Sequence, residues 1–175
     1  MTALPSHPPI VGNPVSLESS PTMSCIWRDE NETAAFAQRL ARLPALRSAY
    51  LELHGDLGAG KTTFVRHLLR SLGVAGRIKS PTYAVVEPHE TPDGLSIWHF
   101  DFYRFSDPRE WEDAGFRDLF AAPGLKLAEW PEKAAPVLPP ADLILTMAVL
   151  PSEARSVNLR ASTPLGLELM EGLRS

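Results

Sequence analysis

The sequence excludes several classes of protein by what it lacks. It has a single cysteine, Cys25, so it cannot form an internal disulfide, and a buried thiol in a reducing compartment is the simplest interpretation. No apolar run approaches the roughly 20 residues that span a bilayer, and the first residues carry no positively charged segment typical of a secretory signal. We therefore expect a cytoplasmic protein that makes no contact with a membrane.

The sequence also has no excess of basic over acidic residues. Its 17 Lys and Arg residues stand against 21 Asp and Glu residues, which gives a formal net charge of −4. A protein that binds nucleic acid by itself needs a basic surface for phosphate contacts, although a local basic face is compatible with this balance. Hydrophobic residues make up 44% of the 175 residues, which is enough for one soluble domain with a proper core.

Residues 1–22 are poor in residues that build a core. They contain five prolines, four serines and one charged residue, Glu18. Such a segment cannot bury enough apolar area to order itself. We therefore predict a disordered N-terminal tail over 1–22 and a folded domain over 23–175, with Met23 as a candidate alternative start.

One segment matches a complete phosphate-binding pattern. Residues 55–62 read Gly-Asp-Leu-Gly-Ala-Gly-Lys-Thr, which fills G-x-x-x-x-G-K-[ST]. The glycines allow positive φ and close approach of the backbone to an anion, at the start of a helix whose dipole favours negative charge. Lys61 suits the outer phosphates and the Thr62 hydroxyl suits magnesium. The predicted nucleotide-binding residues of this segment are Gly55, Asp56, Leu57, Gly58, Ala59, Gly60, Lys61, Thr62 and Thr63.

The flanking sequence supports a strand before this loop and a helix after it. Leu51 and Leu53 alternate with polar neighbours, as in a strand, whereas apolar residues after the loop recur at helical spacing and stop at Gly73. Further strands are predicted at 24–27, 83–88, 95–102, 125–128, 143–149 and 157–161. The sequence thus predicts an α/β fold of the P-loop NTPase type. We expect a mixed, mostly parallel central sheet with antiparallel members, flanked by helices.

Two acidic residues at strand ends are candidate metal ligands. Asp101 ends the strand that carries His99, in the place of a Walker-B acid, although it could instead cap the following turn. Glu129 ends a later strand, where an acid is placed either for ligand contact or for simple exposure to solvent. His99 lies within its strand and is better interpreted as a hydrogen-bonded core histidine than as a catalytic one.

A loop at residues 80–83 is a candidate phosphate sensor. Its sequence is Ser-Pro-Thr-Tyr, in which Pro81 fixes its own φ and pushes Ser80 toward extended conformations. The Thr82 hydroxyl could contact a γ-phosphate, its metal or the attacking water. An ordinary connecting loop is an equal alternative on this local evidence.

Taken in order, these motifs resemble the bacterial TsaE family (also called YjeE). They are the phosphate loop, Ser-Pro-Thr-Tyr, His-Phe-Asp-Phe-Tyr-Arg and Glu-Trp-Pro-Glu, and the match covers residues 24–161. The resemblance implies a magnesium-dependent ATPase of tRNA threonylcarbamoyladenosine synthesis. It also implies that the protein acts with the proteins TsaB and TsaD and contacts tRNA only through their complex. When alone, the protein is expected to be a monomer that hydrolyses ATP slowly.

The resemblance also implies roles for particular residues. The family's metal contacts fall on Thr62 and Glu129, and its Walker-B acid falls on Asp101. Its functional tryptophan after the acid is Trp130, and its threonine near the nucleotide base is Thr33. The predicted catalytic residues are Lys61 and Asp101. The predicted magnesium ligands are Thr62, Asp101 and Glu129.

Two other functions compete with this interpretation. A small-molecule P-loop kinase needs an acceptor pocket and usually an arginine-bearing lid, and the candidate region around 107–120 is short. A nucleotide-dependent switch with negligible hydrolysis is the second alternative. The sequence carries no Leu-Ser-Gly-Gly transporter signature, and the lack of an Asn-Lys-x-Asp guanine motif favours ATP.

Overall fold

The computed structural model of the protein describes residues 20–81, 83–107, 109–113 and 115–175. Residues 1–19 of the predicted tail and Thr82 therefore lie outside the described residues. The folded part begins slightly before the expected boundary, because the first strand starts at Thr22. In addition, the carbonyl of Pro21 accepts a hydrogen bond of 3.0 Å from the Ala161 amide. The last two residues of the predicted tail thus belong to the domain.

Seven strands form one sheet within the described residues. They are β1 (Thr22–Trp27), β2 (Tyr50–His54), β3 (Val86–Glu90), β4 (Ser96–Asp101), β5 (Leu125–Glu129), β6 (Leu143–Val149) and β7 (Arg155–Ala161). The helices are α1 (Glu30–Ala41), α2 (Lys61–Ser71), α3 (Arg109–Asp113), α4 (Phe116–Ala121) and α5 (Pro164–Arg174). Short 3-10 turns cover Pro44–Ser48 and Pro131–Lys133. No helix in this described part is long and apolar enough to cross a membrane.

The sheet has a parallel centre and antiparallel edges. Its order is β1-β7-β6-β2-β5-β4-β3. Strand β2 pairs in parallel with β5 and β6, and β5 pairs in parallel with β4. The pairs β1–β7, β6–β7 and β3–β4 are antiparallel. The predicted α/β fold with a mixed sheet is confirmed. As a result, β2, β4 and β5 bring their carboxyl ends to the same edge of the sheet.

Both faces of the central strands are buried under helices. Leu51 and Leu53 of β2 belong to a core that includes Phe36 of α1, Phe64 of α2 and Met170 of α5. Alternate residues of the same strands face a second, aromatic core with Phe100 of β4, Trp111 of α3 and Phe116 of α4, beside Tyr50. This three-layer arrangement holds the strand ends in fixed positions.

Helix α1 begins with a reciprocal capping arrangement between Asp29 and Glu32. Asp29 Oδ1 accepts a 3.0 Å hydrogen bond from the Glu32 amide, and Glu32 Oε2 accepts one of 2.7 Å from the Arg28 amide. Reciprocal bonds of this kind satisfy amides that have no partner within the helix. The cap fixes the first turn of α1, which carries Thr33.

Candidate nucleotide-binding site

The predicted phosphate loop connects the end of β2 to the start of α2. Gly55, Gly58 and Gly60 have φ of 146°, 81° and 106°, so the expected positive φ values are confirmed. At Gly55 a Cβ would lie 2.5 Å from the carbonyl oxygen of Met147 in β6. The first glycine is therefore required by its φ and by the close approach of a neighbouring strand.

Lys61 is buried at the base of this loop. Its ammonium donates hydrogen bonds to the carbonyls of Gly55 and Asp56, the latter at 3.0 Å. The Trp130 ring centroid lies 4.2 Å from Nζ, within cation–π range. Burial lowers the pKa of Lys61, and nearby carboxylates, above all that of Glu129, oppose this shift. The ammonium is thus held inside the loop, where a bound anion would compete with the two carbonyls for it.

Glu129 lies directly against the start of α2. The Thr62 hydroxyl donates to Glu129 Oε1 at 2.7 Å, and His99 Nε2 lies 2.5 Å from Glu129 Oε2. Glu129 is only 2% exposed, so the alternative of a solvent-facing acid is wrong. The interpretation of His99 as a hydrogen-bonded core histidine is confirmed by its full burial.

Asp101 faces Glu129 across the parallel pair β4–β5, where the two are register partners. Its Oδ2 accepts a 2.7 Å hydrogen bond from the Ser80 hydroxyl, and its Oδ1 accepts one of 3.0 Å from the Tyr103 amide. Asp101 therefore caps the following turn, which was one of the two roles expected for it from the sequence. It also connects that turn to Ser80.

An open cleft of about 380 Å³ joins these groups. The predicted site residues that line it are Leu57, Gly58, Gly60, Lys61, Thr62, Thr63, Asp101, Glu129 and Trp130. The hydroxyl and carboxylate oxygens of Thr62, Glu129 and Asp101 are hard donors of the kind that magnesium prefers. No cluster of three or more His, Cys, Asp or Glu side chains suited to a metal occurs in the described part of the chain. Magnesium commonly completes its shell with water and substrate phosphates.

A second, smaller cavity of about 180 Å³ extends the site toward α1. Thr33 lines it together with Trp27, and Gly60 and Thr63 line both cavities. Thr33 is therefore close to the phosphate loop, on the side opposite Glu129. If the phosphates of a nucleotide lay in the larger cleft, the smaller cavity would have room for another part of the same nucleotide.

Arg155 is the main residue of the site that the sequence reasoning missed. It lines both cavities. Its Nε donates to the Ala59 carbonyl at 3.3 Å, and one terminal nitrogen reaches the Gly58 carbonyl at 3.4 Å. Arg155 begins β7, nearly a hundred residues after the loop, so no local pattern connects the two. Tyr103, whose ring packs 5.0 Å from that of Trp130, lies in the motif His-Phe-Asp-Phe-Tyr-Arg, but that motif alone gave it no role.

Comparisons with known proteins identify the family of this chain. Residues 27–157 match the family model described as "Threonylcarbamoyl adenosine biosynthesis protein TsaE". The chain is 42% identical to the tRNA threonylcarbamoyladenosine biosynthesis protein TsaE of Haemophilus influenzae, over 77% of this chain and 84% of that protein. It is 35% identical to the protein of the same name from Bacillus subtilis, with the same coverage of 77% and 84%.

A solved structure shows the same fold. The crystal structure of Bacillus subtilis YdiB superposes with a TM-score of 0.74 at 27% identity, over 90% of this chain and 97% of that one. The similarity thus extends over most of both chains.

Proposed function

This chain belongs to the TsaE family of threonylcarbamoyladenosine biosynthesis proteins, and from that premise we propose that it binds and hydrolyses ATP with magnesium in support of tRNA modification. The observation that carries the proposal is the contact between the phosphate loop and Glu129. A P-loop hydroxyl that bonds a carboxylate at the end of the adjacent strand is the arrangement used by P-loop ATPases to hold a metal beside phosphates.

In this proposal the loop binds the phosphates and Lys61 neutralises them. Residues at the start of α2 line the cleft, where the amides and dipole of a helix N-terminus would attract an anion. Lys61 would exchange its backbone carbonyl partners for phosphate oxygens, and Trp130 would keep its ammonium directed into the cleft. Charge-assisted contacts of this kind are stronger than neutral ones.

Thr62 and Glu129 would hold magnesium, which when bound neutralises phosphate charge. Glu129 would reach this cation because β5 is the direct neighbour of β2, whereas the Walker-B role of Asp101 stays a prediction. Asp101 stands one strand further out, and we assign it the task of orienting the attacking water. Its bond to Ser80 would connect this task to the loop at 80–83.

The partners are proposed on the same basis. The chain carries a formal charge of −4, so it has little means to bind tRNA by itself. We propose that it acts with TsaB and TsaD and meets tRNA only through them. By linkage, any change that ATP makes in the affinity for these partners must be matched by an equal change that they make in the affinity for ATP.

The test is release of phosphate from ATP by the purified protein without any acceptor. We expect slow, magnesium-dependent release that Lys61→Ala abolishes, and faster release once TsaB and TsaD are added. ATP affinity should also differ with and without saturating partners. Phosphate transfer to a small-molecule acceptor in place of release to water would favour the kinase alternative. Nucleotide binding without turnover under every condition would favour the switch.

A further inference from the structure

His99 is a buried polar residue that the proposed reaction does not use directly. It lies in β4, two residues before Asp101, and its side chain is 0% exposed. Its Nε2 is 2.5 Å from Glu129 Oε2. Its other ring nitrogen, Nδ1, is also buried and has no hydrogen-bond partner among the described residues.

These contacts indicate which ring nitrogen carries hydrogen. A hydrogen on Nδ1 would be a buried donor without a partner, which is costly. A hydrogen on Nε2 instead points at a carboxylate oxygen, where it forms a charge-assisted bond. His99 therefore donates from Nε2 to Glu129.

The carboxylate of Glu129 is consequently held from two sides. Oε2 accepts from His99 on β4, and Oε1 accepts from Thr62 at the start of α2. Because β4 and β5 pair in parallel through this point, the His99 donor has a fixed position relative to the Glu129 backbone. Rotation of the carboxylate would break both bonds, which leaves a single orientation relative to the phosphate loop.

We propose that His99 is a positioning residue, which orients Glu129 for the cation that accompanies nucleotide phosphates. The proposal rests on the proposed function. Groups that bond a metal-binding carboxylate or imidazole from behind typically change metal affinity or activity by about 10- to 100-fold when removed. A histidine that merely fills the core would change stability and leave cation affinity relative to nucleotide affinity unaltered.

A matched pair of variants separates these roles. A glutamine amide nitrogen reaches about as far as Nε2, whereas an asparagine amide nitrogen reaches only as far as Nδ1. We therefore expect His99→Asn to weaken Mn²⁺ binding to the ADP complex by about 10-fold or more, as measured by loss of the free Mn²⁺ paramagnetic resonance signal. His99→Gln should recover most of that affinity. ADP affinity in excess EDTA should stay within about twofold of wild type for both.

Ile97→Val is the control for core damage. Ile97 is equally buried two residues earlier on the same strand and belongs to the core beneath α1 and α2. Its truncation should lower the melting temperature without changing Mn²⁺ affinity. Equal Mn²⁺ affinity in the Asn and Gln variants, or an equal loss of ADP affinity in EDTA, would overturn the positioning role.

A measurement on the wild-type protein applies even if both variants unfold. In ¹⁵N-labelled protein the His99 ring should carry its hydrogen on Nε2, with a proton resonance shifted far downfield that moves when Mg²⁺ is added to the ADP complex. A ring with hydrogen on Nδ1 alone, or a resonance that Mg²⁺ leaves unchanged, would contradict the proposal. Wild-type protein that binds neither ADP nor Mn²⁺–ADP would instead contradict the proposed function, before any variant is compared.

Discussion

Trp130 combines an unusual backbone conformation with contacts inside the candidate site. Its φ of 54° is in the left-handed region, which a bulky residue seldom adopts. In this conformation the ring contacts both the Lys61 ammonium and the Tyr103 ring. Strain of this kind typically costs on the order of 1–3 kcal/mol and concentrates at functional sites. We infer that the strain is tolerated here because it holds an aromatic wall beside the phosphate loop.

The two carboxylates of the site should respond differently to loss of charge. Asp101→Asn is expected to reduce turnover by about 100-fold or more with ADP affinity nearly unchanged, because water orientation acts on the chemical step. Glu129→Gln should instead weaken magnesium-dependent nucleotide binding, since it removes a charged partner of Thr62 and the cation. Steady-state kinetics at varied Mg²⁺, with calorimetric titration of ADP, distinguish the two. Parallel losses in both variants would count against separate roles.

At the scale of elements, the phosphate loop depends on strands that are distant in sequence. Gly55→Ala should destabilise the protein by about 1–3 kcal/mol, because the new Cβ would approach the Met147 carbonyl and the φ of 146° is unfavourable for alanine. Gly76→Ala is the control, since Gly76 has a φ of 82° and open space around it. Urea unfolding of both variants gives the comparison. If Gly55→Ala lowered the free energy of unfolding no more than Gly76→Ala does, β6 would have to move aside to accommodate the new Cβ.

Arg155 fastens the loop to β7 from the side opposite Glu129. Its guanidinium bonds loop carbonyls and is half-buried, so Arg155→Ala should loosen the loop and weaken ADP binding by about 3- to 10-fold. Arg160→Ala on the same strand is exposed and should leave ADP affinity unchanged. Calorimetric titration of ADP tests both variants. If the two variants bound ADP with equal affinity, the contact between Arg155 and the loop would have no role in ADP binding.

The elements differ in how far their sequence predicts them. The phosphate loop and the strand β6 carry local signals, so their positions could be predicted closely. Which carboxylate meets Thr62 depends on the sheet order, which places β5 next to β2 and β4 beyond it. No short motif encodes that order. Arg155 and the bond from Ser80 to Asp101 were likewise beyond local patterns, because each joins segments far apart in the chain.

For the whole molecule, the boundary of the domain is testable by truncation. A chain that starts at Ser20 should melt as the full chain does, provided that residues 1–19 act as the predicted tail. A chain that starts at Met23 loses Thr22 from β1 and the Pro21 carbonyl that bonds Ala161, so its melting temperature should fall by several degrees. About 1 kcal/mol corresponds to a few degrees for a domain of this size. Identical melting of both truncations would place the boundary at Met23.

The pairing of β1 with β7 also sets an order of events during synthesis. Trp27 and Arg155 are register partners and both line the smaller cavity, yet a ribosome makes them far apart in time. At roughly 5–20 residues per second, the interval between them is about 6 to 26 seconds. During that interval a nascent chain would present its phosphate loop without the strand that closes the cavity beside it. Nucleotide capture should therefore begin only when the domain is almost fully translated.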